Sequence, residues 1–214
     1  MKKATKKDIE FIKEEFIKHY DDAVTELTYK NDYELLIAII LSAQCTDKRV
    51  NIITPALFEK YPTPKELSNA SLEEVKELLN SCSFFNNKAK NIISMAQSVE
   101  QNYQGGIPHD TKELMKLAGV GNKTANVFMI EADGANLMAV DTHVFRVSHR
   151  LGLSDGKTVE QTESQLVKKL KDDLHIFHQA MVLFGRYICK AVKPECDRCF
   201  LTEVCKTKET FKVG

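Results

Sequence analysis

The chain has 214 residues, of which 28% are charged, 43% hydrophobic and 8% aromatic, and its 30 Lys plus Arg balance its 30 Asp plus Glu. This excludes a disordered segment or a polycationic nucleic-acid tail and leaves room for one substantial core or two modest domains. No run approaches the ~18 uncharged apolar residues of a membrane span, and MKKATKKDIEFIKEEF carries acids where an export signal needs its apolar core, so a cytoplasmic protein is expected.

The first predicted element runs from Lys6 to Tyr20, where Ile9, Ile12, Phe16 and Tyr20 form one apolar stripe at helical spacing. YELLIAIIL, Tyr33 to Leu41, is rich enough in isoleucine to pass for a buried strand. Its continuation through SAQC and the helical text around it favour a helix buried on most sides. Helix starts follow at Thr63, Ser71, Asp110 and Thr158, each a capping residue three before an acid or amide. The turn signals are short, at Tyr103–Pro108, Gly119–Gly121, Asp133-Gly134 and Ser154–Gly156, and no repeat or long linker separates them. About ten helices in compact layers are predicted, an all-α chain.

KELMKLAGVGNKTANVFMIEA reads as a helix, a tight Gly119-Val120-Gly121 turn and a second helix beginning near Asn122. The two glycines can turn successive amides outward, and the following helix adds unpaired N–H groups and its positive end, a combination suited to one phosphate. A plain helical hairpin is the ordinary alternative. Lys123 lies in the first turn of that second helix, where the dipole and partial desolvation both favour the neutral, nucleophilic amine. Taken alone, such a lysine more often faces solvent or a phosphate. In AVDTHVFRVSHRLGL, Asp141 precedes a helix starting near Thr142; its ordinary role is an N-cap, which is compatible with a second role for a free carboxylate oxygen. One amine and one carboxylate near a bound phosphate point to attack on a sugar carbon rather than phosphate transfer.

Four of the six cysteines, Cys189, Cys196, Cys199 and Cys205, fall in one short stretch with gaps of six, two and five residues. In a reducing compartment this favours metal ligation over disulfides. An all-sulfur donor set excludes magnesium and calcium and leaves zinc or an iron–sulfur cluster, which the spacing alone does not separate. Arg186, Lys190, Lys193, Arg198, Lys206 and Lys208 surround the ligands, so the folded loop would present cations to a phosphate backbone, or merely a solvated face. Residues 141–214 carry 13 basic and 10 acidic side chains, against 17 and 20 in residues 1–140, so positive charge is in excess toward the C-terminus.

LAGVGNKTAN, VDTHVFRV and the closing cysteines, together with LLIAIILSAQCTDKRVN and NNKAKNII, resemble the endonuclease III family of DNA glycosylases with abasic-site lyase activity, over nearly the whole chain. The resemblance implies a helix-hairpin-helix DNA glycosylase fold. Residues 22–134 would form a six-helix barrel with the hairpin at about 111–132, and residues 1–21 and 135–214 a second helical domain with a [4Fe–4S] cluster on Cys189, Cys196, Cys199 and Cys205. It implies that Lys123 is the nucleophile and Asp141 its partner, that the substrate is duplex DNA carrying an oxidised pyrimidine, and that cleavage 3′ to the site follows by β-elimination through a Schiff base. Gln44 resembles the residue that fills the vacated space, Phe84 or Phe85 the wedge opposite it, and Gly119, Val120, Gly121 and Lys193 further DNA contacts. A monomer without an obligate protein partner, associated with the nucleoid when bound to DNA, is expected.

Three positions depart from the family pattern. Ala118 replaces the usual proline before the hairpin, Phe84 a common leucine, and His149 a common asparagine. Cys45, beside Gln44, is expected to pack rather than ligate. The rival readings are a monofunctional adenine-removing glycosylase, opposed by Lys123 and by the short chain, and a non-enzymatic DNA clamp, which leaves Lys123 and Asp141 without a task.

Overall fold

The computed structural model describes residues 2–207; Lys208, counted above among the cations near the cysteines, lies outside them. The described residues form eleven α-helices and one 3-10 turn, with no strand. They divide into two compact units, 26–133 and 2–25 with 134–207.

In the first unit α2, Asp32–Ser42, is the centre. Every residue from Tyr33 to Leu41 is buried, so the isoleucine-rich run is a helix covered on all sides. Asn31 caps it by accepting from the Glu34 amide at 2.9 Å. Around it stand α3 (Asp47–Lys60), α4 (Pro64–Ser68), α5 (Leu72–Leu79), α6 (Phe85–Tyr103), α7 (Thr111–Leu114) and α8 (Asn122–Asp133), with α3 and α8 packed on α2, and α4 and α5 on α6. Thr63 and Ser71 are N-caps, but neither side chain accepts a backbone amide as the sequence pattern suggests. The Thr63 hydroxyl instead donates to the Glu66 carboxylate.

His109 links three parts of this unit. Its Nδ1 lies 2.8 Å from Asp133 at the end of α8, and its Nε2 3.0 Å from Asp32 at the start of α2. The Asp133 carboxylate, and Asp32 after it, raise the imidazole pKa above 6.5 against an opposing push from partial burial. A raised pKa means stabilisation that is complete below pH 6.5 and lost as pH rises through the folded value. His109→Ala should therefore lower stability to urea at pH 6 by about 0.5 kcal/mol, discounted for solvent screening of a half-exposed group, and by less at pH 9. An equal loss at both pH values would contradict this.

The second unit holds α1 (Lys6–Tyr20), α9 (Thr142–Arg150), α10 (Val159–Leu170) and α11 (Leu174–Tyr187). Thr5 and Asp8 form a full capping box at the start of α1, with Asp8 Oδ2 accepting from Thr5 N at 2.8 Å. The same carboxylate meets Lys206 Nζ at 2.7 Å, and that bond foremost lowers the Asp8 pKa to about 2. Ile12 and Phe16 are buried against α11 and the segment carrying Phe200 and Leu201. Gly185 permits the close crossing of α11 and α9, because a Cβ there would lie 2.9 Å from His143 Cβ.

Candidate functional site

In the first unit, the hairpin begins at α7, where Asp110 accepts from the amides of Lys112 and Glu113 at 2.9 and 3.0 Å. The turn closes through Val120 N–H to Leu117 O at 3.2 Å, without help from a proline at Ala118. Gly119 has φ +82°, and a Cβ on it would also come within 3.0 Å of Asn91 Cβ in α6, so glycine is required there twice over. At Gly121 a Cβ would meet nothing, so its bareness leaves the approach to the neighbouring amides open. The first bond into α8 runs from Ala125 N–H to Gly121 O. The amides of Asn122, Lys123 and Thr124 thus lie at a helix start with no intrahelical acceptor. Val120 is different from its neighbours: its side chain is buried and its amide already used. Lys123 is exposed, and its side chain forms no hydrogen bond or ion pair among the described residues.

Two further predicted residues in this unit have unusual backbones. Ala43 (φ −58°, ψ 114°) and Gln44 (φ +53°) are the central pair of a turn closed by Cys45 N–H to Ser42 O at 3.0 Å. This is type II geometry, with glutamine where glycine or asparagine is favoured. Phe84 is left-handed too (φ 57°, ψ 29°), and the residue is 62% exposed at the head of α6. Phe85 packs partly against the core, so the structure separates the aromatic pair. A non-glycine residue in this region costs about 1–2 kcal/mol, and such strain collects at functional sites. Lys88, which the sequence reading passed over, is buried beneath both turns.

In the second unit Asp141 caps α9, its Oδ1 accepting from Val144 N–H at 2.8 Å. Oδ2 makes no hydrogen bond among the described residues. The carboxylate lies in a groove of about 1060 Å³ of open space, lined also by Phe145, Lys157, Thr158 and Glu160. Against one wall His149 stacks on Phe145 and reaches Gly156 O at 2.8 Å, bracing α9 to the following loop. Arg146 ties the same helix to α11 and the cysteine segment, at 2.7 Å to Gly185 O and 2.9 Å to Cys189 O.

Cys189, Cys196, Cys199 and Cys205 line one cavity of about 420 Å³ with Arg150, Phe184 and Ile188. None of the four is in a disulfide. Arg150, absent from the sequence-predicted site, donates to Cys189 Sγ at 3.3 Å and to Lys190 O at 2.7 Å. Burial, then the neighbouring thiols, push the Cys196 thiol pKa up; burial does the same at Cys199. The segment has more core than its composition suggests: Leu201 is fully buried, and Phe200 stacks on His19 at 4.2 Å and meets Phe184 at 5.2 Å. Lys193 is exposed with φ +51°, and Lys190 and Arg198 both pair with Glu195. The basic patch is therefore partly neutralised within the segment. Among the described residues no three Cys, His, Asp or Glu side chains are gathered closely enough to hold a single metal ion.

Residues 37–172 match the model of the HhH-GPD superfamily of base excision DNA repair proteins, and residues 189–205 the iron–sulfur binding domain of endonuclease III. The chain is 48% identical to endonuclease III of Rickettsia conorii over 89% of its own length and 91% of the relative's. Identity to endonuclease III of Escherichia coli K12 is 40%, over 88% and 90%. Among solved structures it is similar to a trapped endonuclease III–DNA covalent intermediate, with a TM-score of 0.91 and 44% identity over 96% of this chain and 98% of that one. A thermostable thymine-DNA glycosylase, 22% identical, shares the fold with a TM-score of 0.83 over 95% of this chain and 98% of that one.

Proposed function

The chain belongs to the endonuclease III family, within the helix-hairpin-helix superfamily of base-excision-repair proteins, and on that premise we propose how its residues divide the work. The protein is a bifunctional enzyme that removes oxidised pyrimidines from duplex DNA and cleaves the resulting abasic site. The observation that supports the assignment of roles is the hairpin, where amides without an intrahelical acceptor and an exposed, uncommitted amine fall within one helical turn. The amides from Gly121 to Thr124 hold a phosphate of the opened strand by charge-assisted hydrogen bonds. The amine of Lys123 attacks C1′ of the lesion sugar as the C1′–base bond breaks and the base leaves with the electron pair. Loss of the amine's proton and ring opening give a Schiff base, a proton leaves C2′, and the 3′ phosphate departs by β-elimination. Asp141, ionised, stabilises positive charge on the sugar as the base leaves. Gln44 and Phe84 occupy the stack vacated by the everted nucleotide, as do wedges in other duplex-opening proteins.

Gly121 and its neighbours support the phosphate role better than Val120, whose amide serves the turn. Lys193 adds a cation on the cysteine segment, and the limited number of phosphate contacts predicts a shallow salt dependence. No described helix is long and apolar enough to cross a membrane. With DNA as substrate, a monomer working in the bacterial cytoplasm on nucleoid DNA is the setting that fits.

Cys189, Cys196, Cys199 and Cys205 would hold a [4Fe–4S] cluster. The donor set is all sulfur, the four thiols line one cavity, and residues 189–205 match the iron–sulfur binding domain of endonuclease III, which favours a cluster over zinc. When bound, the cluster would supply covalent cross-links that order the segment carrying Lys193. Native protein should be brown and contain iron and acid-labile sulfide; colourless protein with stoichiometric zinc would reverse the assignment.

Excision on a panel of duplexes carrying oxidised pyrimidines, with borohydride reduction of enzyme mixed with abasic duplex, tests the catalytic reading. Release of the pyrimidine lesions and a covalent adduct are expected. Release of purine lesions alone, or no adduct from active protein, would refute it.

A further inference from the structure

We propose that Lys88 is a positioning residue that locks Gln44 and Phe84, the two side chains assigned to the opened stack, into one rigid unit; the inference rests on that assignment. Lys88 is 6% exposed, yet each of its three ammonium protons has a partner. Nζ donates to Leu41 O at 2.8 Å and Ala43 O at 2.7 Å, and lies 3.2 Å from Cys82 Sγ. The two carbonyls belong to the last turn of α2 and its cap, where helix geometry leaves acceptors unpaired and the dipole favours a cation. Gln44 is the next residue along the chain.

The same lysine also reaches the turn that carries Phe84, through the Cys82 thiol. Its backbone N–H donates to Phe84 O at 3.1 Å, and Cys82, two residues before Phe84, donates through its thiol to Leu41 O at 3.6 Å. The Lys88 ammonium therefore meets the carbonyl just before Gln44 and the thiol two residues before Phe84, while the bond to Phe84 O itself is the first backbone bond of α6. An exposed glutamine and an exposed phenylalanine in strained turns would otherwise relax, each independently. With Ala43 O and Cys82 Sγ on one ammonium, the two turns keep a fixed separation, which is what insertion into a duplex gap of fixed rise requires. A buried unpaired charge is costly, and a buried ammonium with three satisfied protons defines one geometry.

The test compares wild type with Lys88→Met on two substrates: an abasic site in duplex DNA, and the same site in a single-stranded oligonucleotide, which needs no stack opened. The rate of borohydride-trapped adduct formation at subsaturating enzyme should fall about 10- to 100-fold on duplex and stay unchanged on single strand. In a Gln44→Ala/Phe84→Ala background the lysine substitution should add no further duplex defect. Should Lys88→Met fail to fold, Lys88→Arg, which keeps the charge but not the donor geometry, is read in the same way. Equal losses on both substrates, an undiminished duplex rate, or a full additional loss in the double-alanine background would each overturn the proposal. Absence of any adduct with wild type would instead refute the catalytic reading of Lys123.

Discussion

Lys123→Gln is expected to leave no borohydride-trapped adduct with abasic duplex and to lower lesion excision by about 10³-fold or more, the scale on which losing a covalent nucleophile is felt elsewhere. The variant should remain folded, because Lys123 is exposed and its side chain has no partner among the described residues. A substitution in such a place changes stability by only about 0.5 kcal/mol. It should also keep its grip on DNA. The phosphate site proposed for the hairpin consists of backbone amides, set by Gly119 at φ +82° and by the Val120 to Leu117 bond, neither of which involves the lysine side chain. Gel-shift binding to a duplex with a reduced abasic analogue should thus change by no more than about the contribution of one cation, roughly threefold to tenfold. An adduct that persists in Lys123→Gln would place the Schiff base on another amine and remove the hairpin from the chemistry.

The hairpin was legible because its chemistry is local: two glycines, a lysine and a helix start lie adjacent in the chain, and the backbone alone positions them. The same holds for α2, whose unbroken apolar run is a helix in the structure, buried from Tyr33 to Leu41. Lys88 was not legible as a site, although its signal was present. Lys88, Ile92, Met95 and Val99 are buried in α6 at spacings of four, three and four, which puts a lysine on the apolar stripe of a helix. The partners that make this tolerable, Leu41 O and Ala43 O, are carbonyls more than forty residues away and carry no sequence signature. Arg146 and Arg150 escaped for the same reason, since they serve Gly185, Cys189 and Lys190 through backbone oxygens. The left-handed backbones of Gln44 and Phe84 likewise have no marker in composition, because neither residue type favours φ > 0. Ser71 and Thr63 show the converse: the capping pattern is present, helices begin there, and the side-chain bonds to the backbone are not made.

The N-cap role of Asp141 and the chemical role proposed for it are separated by one pair of substitutions. Oδ1 closes the start of α9, and the proposed chemical role would fall to the charge and to Oδ2, which is not hydrogen-bonded within the described residues. Asparagine is as good an N-cap as aspartate, so Asp141→Asn should keep the bond to Val144 N–H and lose at most a few tenths of a kcal/mol of favourable charge at the helix start. Its activity should nevertheless fall by about 10²-fold or more, because a neutral amide cannot stabilise the positive sugar developed as the base leaves. Asp141→Ala should show a similar catalytic loss and, in addition, about 1 kcal/mol of lost stability from the missing cap. Urea unfolding and single-turnover excision measured on both variants therefore give different orders: for stability wild type and Asn lie together above Ala, for activity Asn and Ala lie together below wild type. If activity instead follows stability, with Asn near wild type, the carboxylate acts only by holding α9, and the charge at the lesion must come from another residue. The proposed coincidence of cap and catalyst in one residue would have a physical basis: the N-cap bond fixes the carboxylate's orientation through Oδ1, which leaves Oδ2 little rotamer freedom to lose when a sugar arrives.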